Sequence, residues 1–355
     1  MAEVIVLIED YGAGHAVAAI KDGLLIDFVI DPFNAEDQSL VGSIMAVKVD
    51  APKKGINGTF VSLPNGRKGF IRGNENFKTG SYVLVYAGNT VEDHKAQPVS
   101  SHLIIKGKYT ILTPGRSGIN VSRSIKDEYF RTDTGSKLSP LKNILPKNCG
   151  LIVRSRAIKT DEKEILIEAE LHIRQYMSFF EKEFSKPEFL KDPTRAKEYA
   201  SREWFFEQKE LIIEEKMCFD RFGVWEQISK YLLDKVLLSN GGFIMIEVTS
   251  ALVAVDINTA ADTSRSAAFK TNLLAMKELP RQLRIRGLGG KIVVEFAPLA
   301  KQDRSKIEIE LNKGFDLNKI QTTIVGWTKT GNLEIQRKRE KLPIGAILSG
   351  DPRFK

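Results

Sequence analysis

In the last third of the chain, two apolar runs each end in oxygen-bearing side chains. Ala254-Val255-Asp256-Ile257-Asn258 spaces Asp256 and Asn258 two residues apart, so on a strand both face one way while Val255 and Ile257 pack behind. Ile292-Val293-Val294-Glu295-Phe296 is a second aliphatic run that delivers a carboxylate near its end. Were the two strands parallel neighbours, Asp256 and Glu295 would meet at one rim. Mg²⁺ takes one or two protein carboxylates and completes its octahedron with water and phosphate oxygens, which such a rim could support. A lone acid at a strand end is more often a cap, a turn residue or an ion-pair partner.

Such a rim needs strands and a helix to join them. The pattern predicts strands over 243–247, 252–257 and 291–296, with a long helix over about 266–286 and a helix-ending turn at Gly289-Gly290. The chain opens with strands at 4–8, 15–20 and 24–30, the turn dipeptide Asp22-Gly23 and a stop at Asp31-Pro32, which together read as a meander. Short β-rich segments at 41–49, 58–63, 68–71, 82–86 and 103–105 suggest a small OB-like barrel. Strands at 108–112 and 150–154 enclose a polar stretch read as loops with one short helix. A helix is expected from Asp161 to about Glu183, with Ile165, Ala169, Ile173 and Met177 on one face, and further helices over 204–218 and 225–238. The fold class is α+β, a mixed α/β multidomain chain.

At 355 residues the chain exceeds a usual single domain. Its 53 Lys and Arg against 45 Asp and Glu leave a formal charge of +8, which suits a polyanion but is also met on ordinary soluble surfaces. Cys149 and Cys218 lack CxxC spacing, which argues against a disulfide framework or a cysteine zinc site and fits a reducing cytoplasm. The apolar run 4–8 is too short to span a bilayer and is flanked by acids, so neither export nor membrane insertion is expected. His15, His94, His102 and His172 show no ligand spacing, and no Walker or dinucleotide glycine pattern supports nucleotide-driven or hydride chemistry. The basic run Arg337 to Lys341 could follow an RNA backbone, though short charge runs are usually solvated faces.

The stretch Ala251 to Asn258, then Thr271-Asn272-Leu273, then the run Arg281 to Gly290, resembles the catalytic signature of the ribonuclease E/G family. The resemblance covers most of the chain. It implies an OB-like barrel inserted into an RNase H-like and DNase I-like nuclease scaffold. The meander over 1–37 would be RNase H-like, 38–106 an OB-fold RNA-binding barrel and 107–165 a 5′-end sensor. A reduced helical RNase H-like portion would follow over 166–235, then a DNase I-like catalytic portion over 236–355. The implied activity is metal-dependent endoribonuclease cleavage of single-stranded RNA to 5′-phosphate and 3′-hydroxyl ends. Substrates would be 5′-monophosphorylated and AU-rich, and the role RNA processing or decay.

By the same resemblance Asp256 and Glu295 bind Mg²⁺, or Mn²⁺ in its place, and Asn258 orients Asp256. Phe60 and Phe70 match base-stacking aromatics, Lys95 matches a backbone contact, and Gly107, Ile111, Arg154 and Ser155 match a sensor for a 5′-phosphate. Read without it, Arg154 is a surface ion pair and either Phe is as readily barrel core. Glu295 stands where the family has Asp, Ser250 where a further acid is expected near the site, and Gln321 where a second sensor Arg is expected. These departures give the alternative, an RNA-binding protein on the same scaffold with weakened catalysis. A protein-interaction module, the third reading, leaves the spacing of Asp256 and Glu295 unexplained. The segment between about 183 and 225 looks short for a complete RNase H-like portion. No zinc link is expected, because the family's cysteine pair has no counterpart here, and homo-oligomerisation stays open.

Overall fold

The computed structural model describes residues 3–354 apart from 54, 74, 92–94, 205, 207–209, 262–263 and 317–319. Among those residues it is a mixed α/β structure with four β-sheets and eight α-helices. Two compact units divide the chain: Met1–Ser39 with Arg195–Ala200 and Phe206–Lys355, and Leu40–Thr194 with Ser201–Phe205.

In the first unit, Val4–Tyr11, Gly14–Lys21 and Leu24–Ile30 form the expected antiparallel meander. It turns at Asp22 and Gly23, whose φ values of 51° and 76° are those of a tight two-residue hairpin. A fourth strand, Glu210–Glu214, pairs in parallel with Val4–Tyr11, where a helix was expected over 204–218. The apolar triplet Leu211-Ile212-Ile213 fits a strand once the meander's open edge is there to satisfy its backbone. The helix expected over 225–238 is confined to Val224–Tyr231, and Lys235–Leu237 is a strand. Leu7, Leu25, Phe28, Phe219, Trp225 and Ile228 share this unit's smaller core.

A six-stranded sheet runs in the order Lys235–Leu237, Phe243–Val248, Val253–Asn258, Gly290–Glu295, Leu333–Arg337, Thr322–Trp327. Every neighbouring pair is antiparallel except the central one, Val253–Asn258 beside Gly290–Glu295. Parallel neighbours need a crossover, and the helix Arg265–Ile285 supplies it. The Ser264 hydroxyl caps that helix, accepting from the Ala267 amide at 3.2 Å. Arg304–Asp316, a helix the sequence reading did not assign, packs beside it. Together they bury Val253, Val255, Ile257, Ile292 and Val294 from one face of the sheet, against Leu279, Leu283, Ile307 and Leu311. Asp256 and Glu295 belong to the opposite, open face.

The basic run is scaffolding at two of its positions. Arg337 is 1% exposed, and its guanidinium donates to the Leu288 carbonyl at 3.2 Å and to Thr322 Oγ1 at 2.8 Å. Lys341 Nζ donates to Asp27 Oδ1 at 3.2 Å and to the Phe28 carbonyl at 3.1 Å. Burial lowers the pKa of both, that of Arg337 to about 10. The arginines of the 281–290 run also turn inward, Arg284 Nε to the Ile26 carbonyl at 3.0 Å and Arg286 Nη2 to the Leu233 carbonyl at 2.7 Å. Those pins hold the crossover helix to the meander and to the residue next to Asp234.

In the second unit, Gly118–Val121, Cys149–Val153, Thr110–Pro114 and Ile105–Lys106 form one sheet. The strand expected over 103–105 is found at Ile105–Lys106 and serves this sheet, not the one that holds the segments 58–63, 68–71 and 82–86. The polar stretch 115–146 holds the strand Gly118–Val121 and the helix Glu128–Lys137. Glu162–Ser178 buries Ile165, Ala169 and Ile173, but Met177, expected on the same face, is 49% exposed where the helix ends. In the other sheet, Ile44–Val49 pairs with Tyr82–Tyr86 along one side and with Glu188–Lys191 and Gly58–Ser62 along the other. Lys68–Arg72 and Gln97–Val99 follow, and a bridge from Tyr86 to Ser100 links the ends of the series. Met45, Val47, Val61, Ile71, Val85 and Val99 pack inside.

Cys149 and Cys218 are both buried and free. Among the described residues no helix is long and apolar enough to cross a membrane. Leu279 is 0% exposed beneath the central strands, so Leu279→Ala should cost about 2–5 kcal/mol. A thermal melt of the purified variant checks this, and an unchanged midpoint would mean that the crossover helix does not hold the sheet.

Candidate active site

The parallel register pairs Asp256 directly with Glu295, as Val253 pairs with Ile292 and Val255 with Val294. Residues paired across a ladder share a face, so the two carboxylates leave the sheet side by side. Asn258 is on the same face, two residues on, and its Nδ2 donates to Asp256 Oδ2 at 2.7 Å. This fixes one oxygen of the Asp256 carboxylate. On the far side of Asp256 the register partner is Met245, and Asn258 faces Phe243.

Residues of the 271–273 triplet stabilise this rim from behind. Asn272, fully buried, donates from Nδ2 to the Ala297 carbonyl at 3.0 Å, which ties the crossover helix to the chain just beyond Glu295. Thr271 Oγ1 accepts from Asn240 Nδ2 at 2.8 Å. Gly242 lies between: a Cβ there would come within 2.7 Å of Thr271 Cγ2 and 2.8 Å of the Asn258 carbonyl, so only glycine allows the approach. The signal for these supporting roles was the triplet itself. Asn240 and Gly242 carried none.

The donor set fits a hard divalent cation. All its donors are oxygens, both carboxylates are exposed on one face, and a hydrogen-bonded amide orients one of them. Among the described residues no cluster of three or more His, Cys, Asp or Glu could enclose a metal, so a cation here would need water or phosphate oxygens to complete its shell. Ser250, expected near the site, lies in the hairpin before Val253, at the opposite end of the strand from Asp256. The three residue steps from Val253 to Asp256 alone span roughly 10 Å. Gln321 adjoins the edge strand, its carbonyl accepting from the Lys338 amide at 2.9 Å, and belongs to the first unit, whereas Arg154 belongs to the second.

In the second unit Phe60 and Phe70 are register partners with ring centroids 5.1 Å apart. Their neighbours Val61 and Ile71 fill the core, so the two rings lie on the other face, half-buried, with Lys53 Nζ 4.7 Å above Phe60. Lys68, two residues from Phe70, holds Asp50 at 2.6 Å. Lys95 is exposed at a bend before Gln97–Val99, and His94 lies outside the described residues.

Gly107 and Arg154 come together: Arg154 Nη1 donates to the Gly107 carbonyl at 2.5 Å, and the Arg154 amide donates to the Tyr109 carbonyl at 2.8 Å. Ser155 follows Arg154 at the start of a short 3-10 turn, and Ile111 is on Thr110–Pro114, paired with Ile152. Two acids that the sequence reading missed complete this region. Glu203 pairs with Arg154 Nη2 and with Arg202 Nε, the latter at 2.8 Å. Glu168 accepts from the amides of Lys108, Tyr109 and Thr110 at 2.7–2.8 Å and from the Thr110 hydroxyl at 2.8 Å. Burial pushes the Glu203 carboxyl up, but Arg154, Arg202 and Lys106 outweigh it and hold its pKa at about 2. Beside Glu168, burial lowers the His172 pKa despite that acid's charge.

The model of the ribonuclease E/G family matches residues 104–216 and 191–340. A ribonuclease E/G-like protein of Pyropia yezoensis is 25% identical over 86% of this chain and 70% of its own length. Ribonuclease G of Escherichia coli strain K12 is 23% identical over 94% of this chain and 80% of its own length. Ribonuclease E of a Nostoc species is 27% identical over 73% of this chain and 43% of its own length. The chain belongs to the ribonuclease E/G family, and by that membership is an endoribonuclease.

The depressed Glu203 pKa makes a stability prediction. Its contribution is fully present above the unfolded carboxyl value of about 4.3 and is lost as pH falls towards about 2. At neutral pH it is worth about 3 kcal/mol at most. Thermal melts of wild type and Glu203→Gln from pH 6 to pH 2.5 should converge as the pH falls. A difference constant across that range would mean that the acid contributes by packing and not by charge.

Proposed function

We propose that this chain hydrolyses the backbone of single-stranded RNA at Asp256 and Glu295, leaving 5′-phosphate and 3′-hydroxyl ends, in RNA processing or decay in the cytoplasm. The observation that carries the reading is the parallel register of those two carboxylates, with Asn258 bonded to one of them. Asp256 and Glu295 would hold Mg²⁺, or Mn²⁺ in its place. A cation bound there supplies charge neutralisation at the scissile phosphate and lowers the pKa of its water. Asn258 keeps Asp256 turned toward that position. The buried residues between the two, Val255, Ile257 and Val294, set the register, and a one-residue slip would put one carboxylate on the wrong face. Glu295 is one methylene longer than Asp, which sets its carboxylate about 1 Å further from the strand.

The wider reading goes with it. Residues 38–106 act as an OB-fold RNA-binding barrel on which Phe60 and Phe70 stack bases while Lys95 follows the backbone. Residues 107–165 sense a 5′-monophosphate through Arg154, Ser155, Gly107 and Ile111. The meander over 1–37 and the portion over 166–235 are RNase H-like, and 236–355 is the DNase I-like catalytic portion. The outward placement of the paired rings beside Lys53 supports the stacking role.

The test is cleavage of a short AU-rich RNA by the purified chain with Mg²⁺ or Mn²⁺. Asp256→Asn should lower the rate at least ~100-fold without loss of RNA binding, and Glu295→Asp should raise it. Binding with no metal-dependent cleavage in either ion would replace this reading with that of an RNA-binding protein on the same scaffold.

A further inference from the structure

We propose that Glu203 is a built-in competitor for the 5′-phosphate of RNA: its carboxylate occupies the guanidinium pair, Arg154 and Arg202, that a terminal phosphate would use. The unmodified chain then senses a 5′-monophosphate less strongly than the guanidinium pair allows, and discrimination rises when that one negative charge is removed. The inference rests on the proposed sensor at Arg154 and concerns how that site is regulated.

Both halves of the region are built for an anion, and both hold a carboxylate of the chain itself. On one side each oxygen of Glu203 takes a different guanidinium, Oε2 that of Arg154 and Oε1 that of Arg202 at 2.8 Å. The three side chains are 16%, 15% and 10% exposed for Arg154, Glu203 and Arg202, so water competes little for the pair. On the other side three successive amides, Lys108 to Thr110, and the Thr110 hydroxyl converge on Glu168. Amides converging in this way, and guanidinium forks, are the groups that hold phosphates elsewhere in proteins. Gly107 joins the halves: its carbonyl accepts from Arg154, and a Cβ on it would be 2.5 Å from Glu168 Cδ.

The two acids are not equivalent as competitors. Glu168 is held by three backbone amides and the Thr110 hydroxyl and keeps the turn after Gly107 in shape. Glu203 ends the helix Ala196–Glu203 and contacts only side chains among its described partners here, so it is the more replaceable anion. Being tethered, it meets Arg154 at a high local concentration that no phosphate in solution matches. A site blocked for most of the time binds with an affinity reduced by the fraction that is open. A phosphate, with up to two charges and three acceptor oxygens, would exceed a carboxylate in strength once that tether carried no charge.

The measurement is binding of a 2′-O-methyl, uncleavable AU-rich oligonucleotide carrying a 5′-monophosphate or a 5′-hydroxyl, to wild type, Glu203→Gln and Glu203→Gln with Arg154→Gln. The ratio of the two affinities should rise at least about tenfold from wild type to Glu203→Gln and fall near one in the double variant. A wild-type ratio already above about tenfold and unchanged by Glu203→Gln would overturn the competition while leaving the sensor intact. A ratio near one in every form would overturn the competition and the sensor reading together. Should Glu203→Gln fail to fold, the Arg154 Nε–Hε resonance of wild type decides: no shift with the monophosphorylated oligonucleotide at micromolar concentration supports the competitor, and a saturating shift there overturns it.

Discussion

Two strands that lie parallel and adjacent cannot be joined by a turn, and the six-stranded sheet is organised around that constraint. Val253–Asn258 and Gly290–Glu295 need a crossover of some thirty residues, and Arg265–Ile285 must pass over one face of the sheet to provide it. That face thereby becomes the core, with Ala275, Met276, Leu279 and Leu283 packed against aliphatic side chains of the strands. The opposite face is left open, and the side chains that alternate outward there include both carboxylates. Burial on one side and a polar rim on the other are thus a single consequence of parallel pairing.

The helix does more than cross. Its second half sends Arg284 to the meander and Arg286 to the Leu233 carbonyl, while Ile285 joins the core of the meander. A run that reads as a family signature is in physical terms a set of buried cations seeking backbone carbonyls. Asp27 receives both Arg284 and Lys341, so an acid from the first sheet gathers the crossover helix and the segment after Arg337. Removing the acid would leave two cations poorly paired in a buried setting, which costs far more than a surface ion pair is worth.

The sequence displayed some of this and concealed the rest for identifiable reasons. Asp256 and Glu295 were legible because an aliphatic run that suddenly bears an acid has a local signature, and parallel pairing follows from the intervening helix. The Glu210–Glu214 strand was not legible: its partner Val4–Ile8 is some two hundred residues away, and the segment taken alone satisfies a helical period. Ser250 was singled out only by the family resemblance, and the hairpin places it before Val253, at the other end of that strand from Asp256. Glu168 and Glu203 resembled any acids on exposed helix faces, since only the folded chain brings amides or guanidinium groups to them. Phe60 and Phe70 were ambiguous until Val61 and Ile71 were seen to take the interior.

The buried cations bear on how a polyanion would experience this molecule. Arg154, Arg202, Arg284, Arg337 and Lys341 are counted in the formal charge of +8, yet each is spent on an internal carboxylate, hydroxyl or carbonyl. Only cations that reach the surface can displace condensed counterions from RNA, and the steepness of salt dependence counts those displacements, not the composition. The ionic-strength response of a chain with 53 Lys and Arg is therefore set by fewer cations than it carries, namely by those that face outward, Lys53 among them.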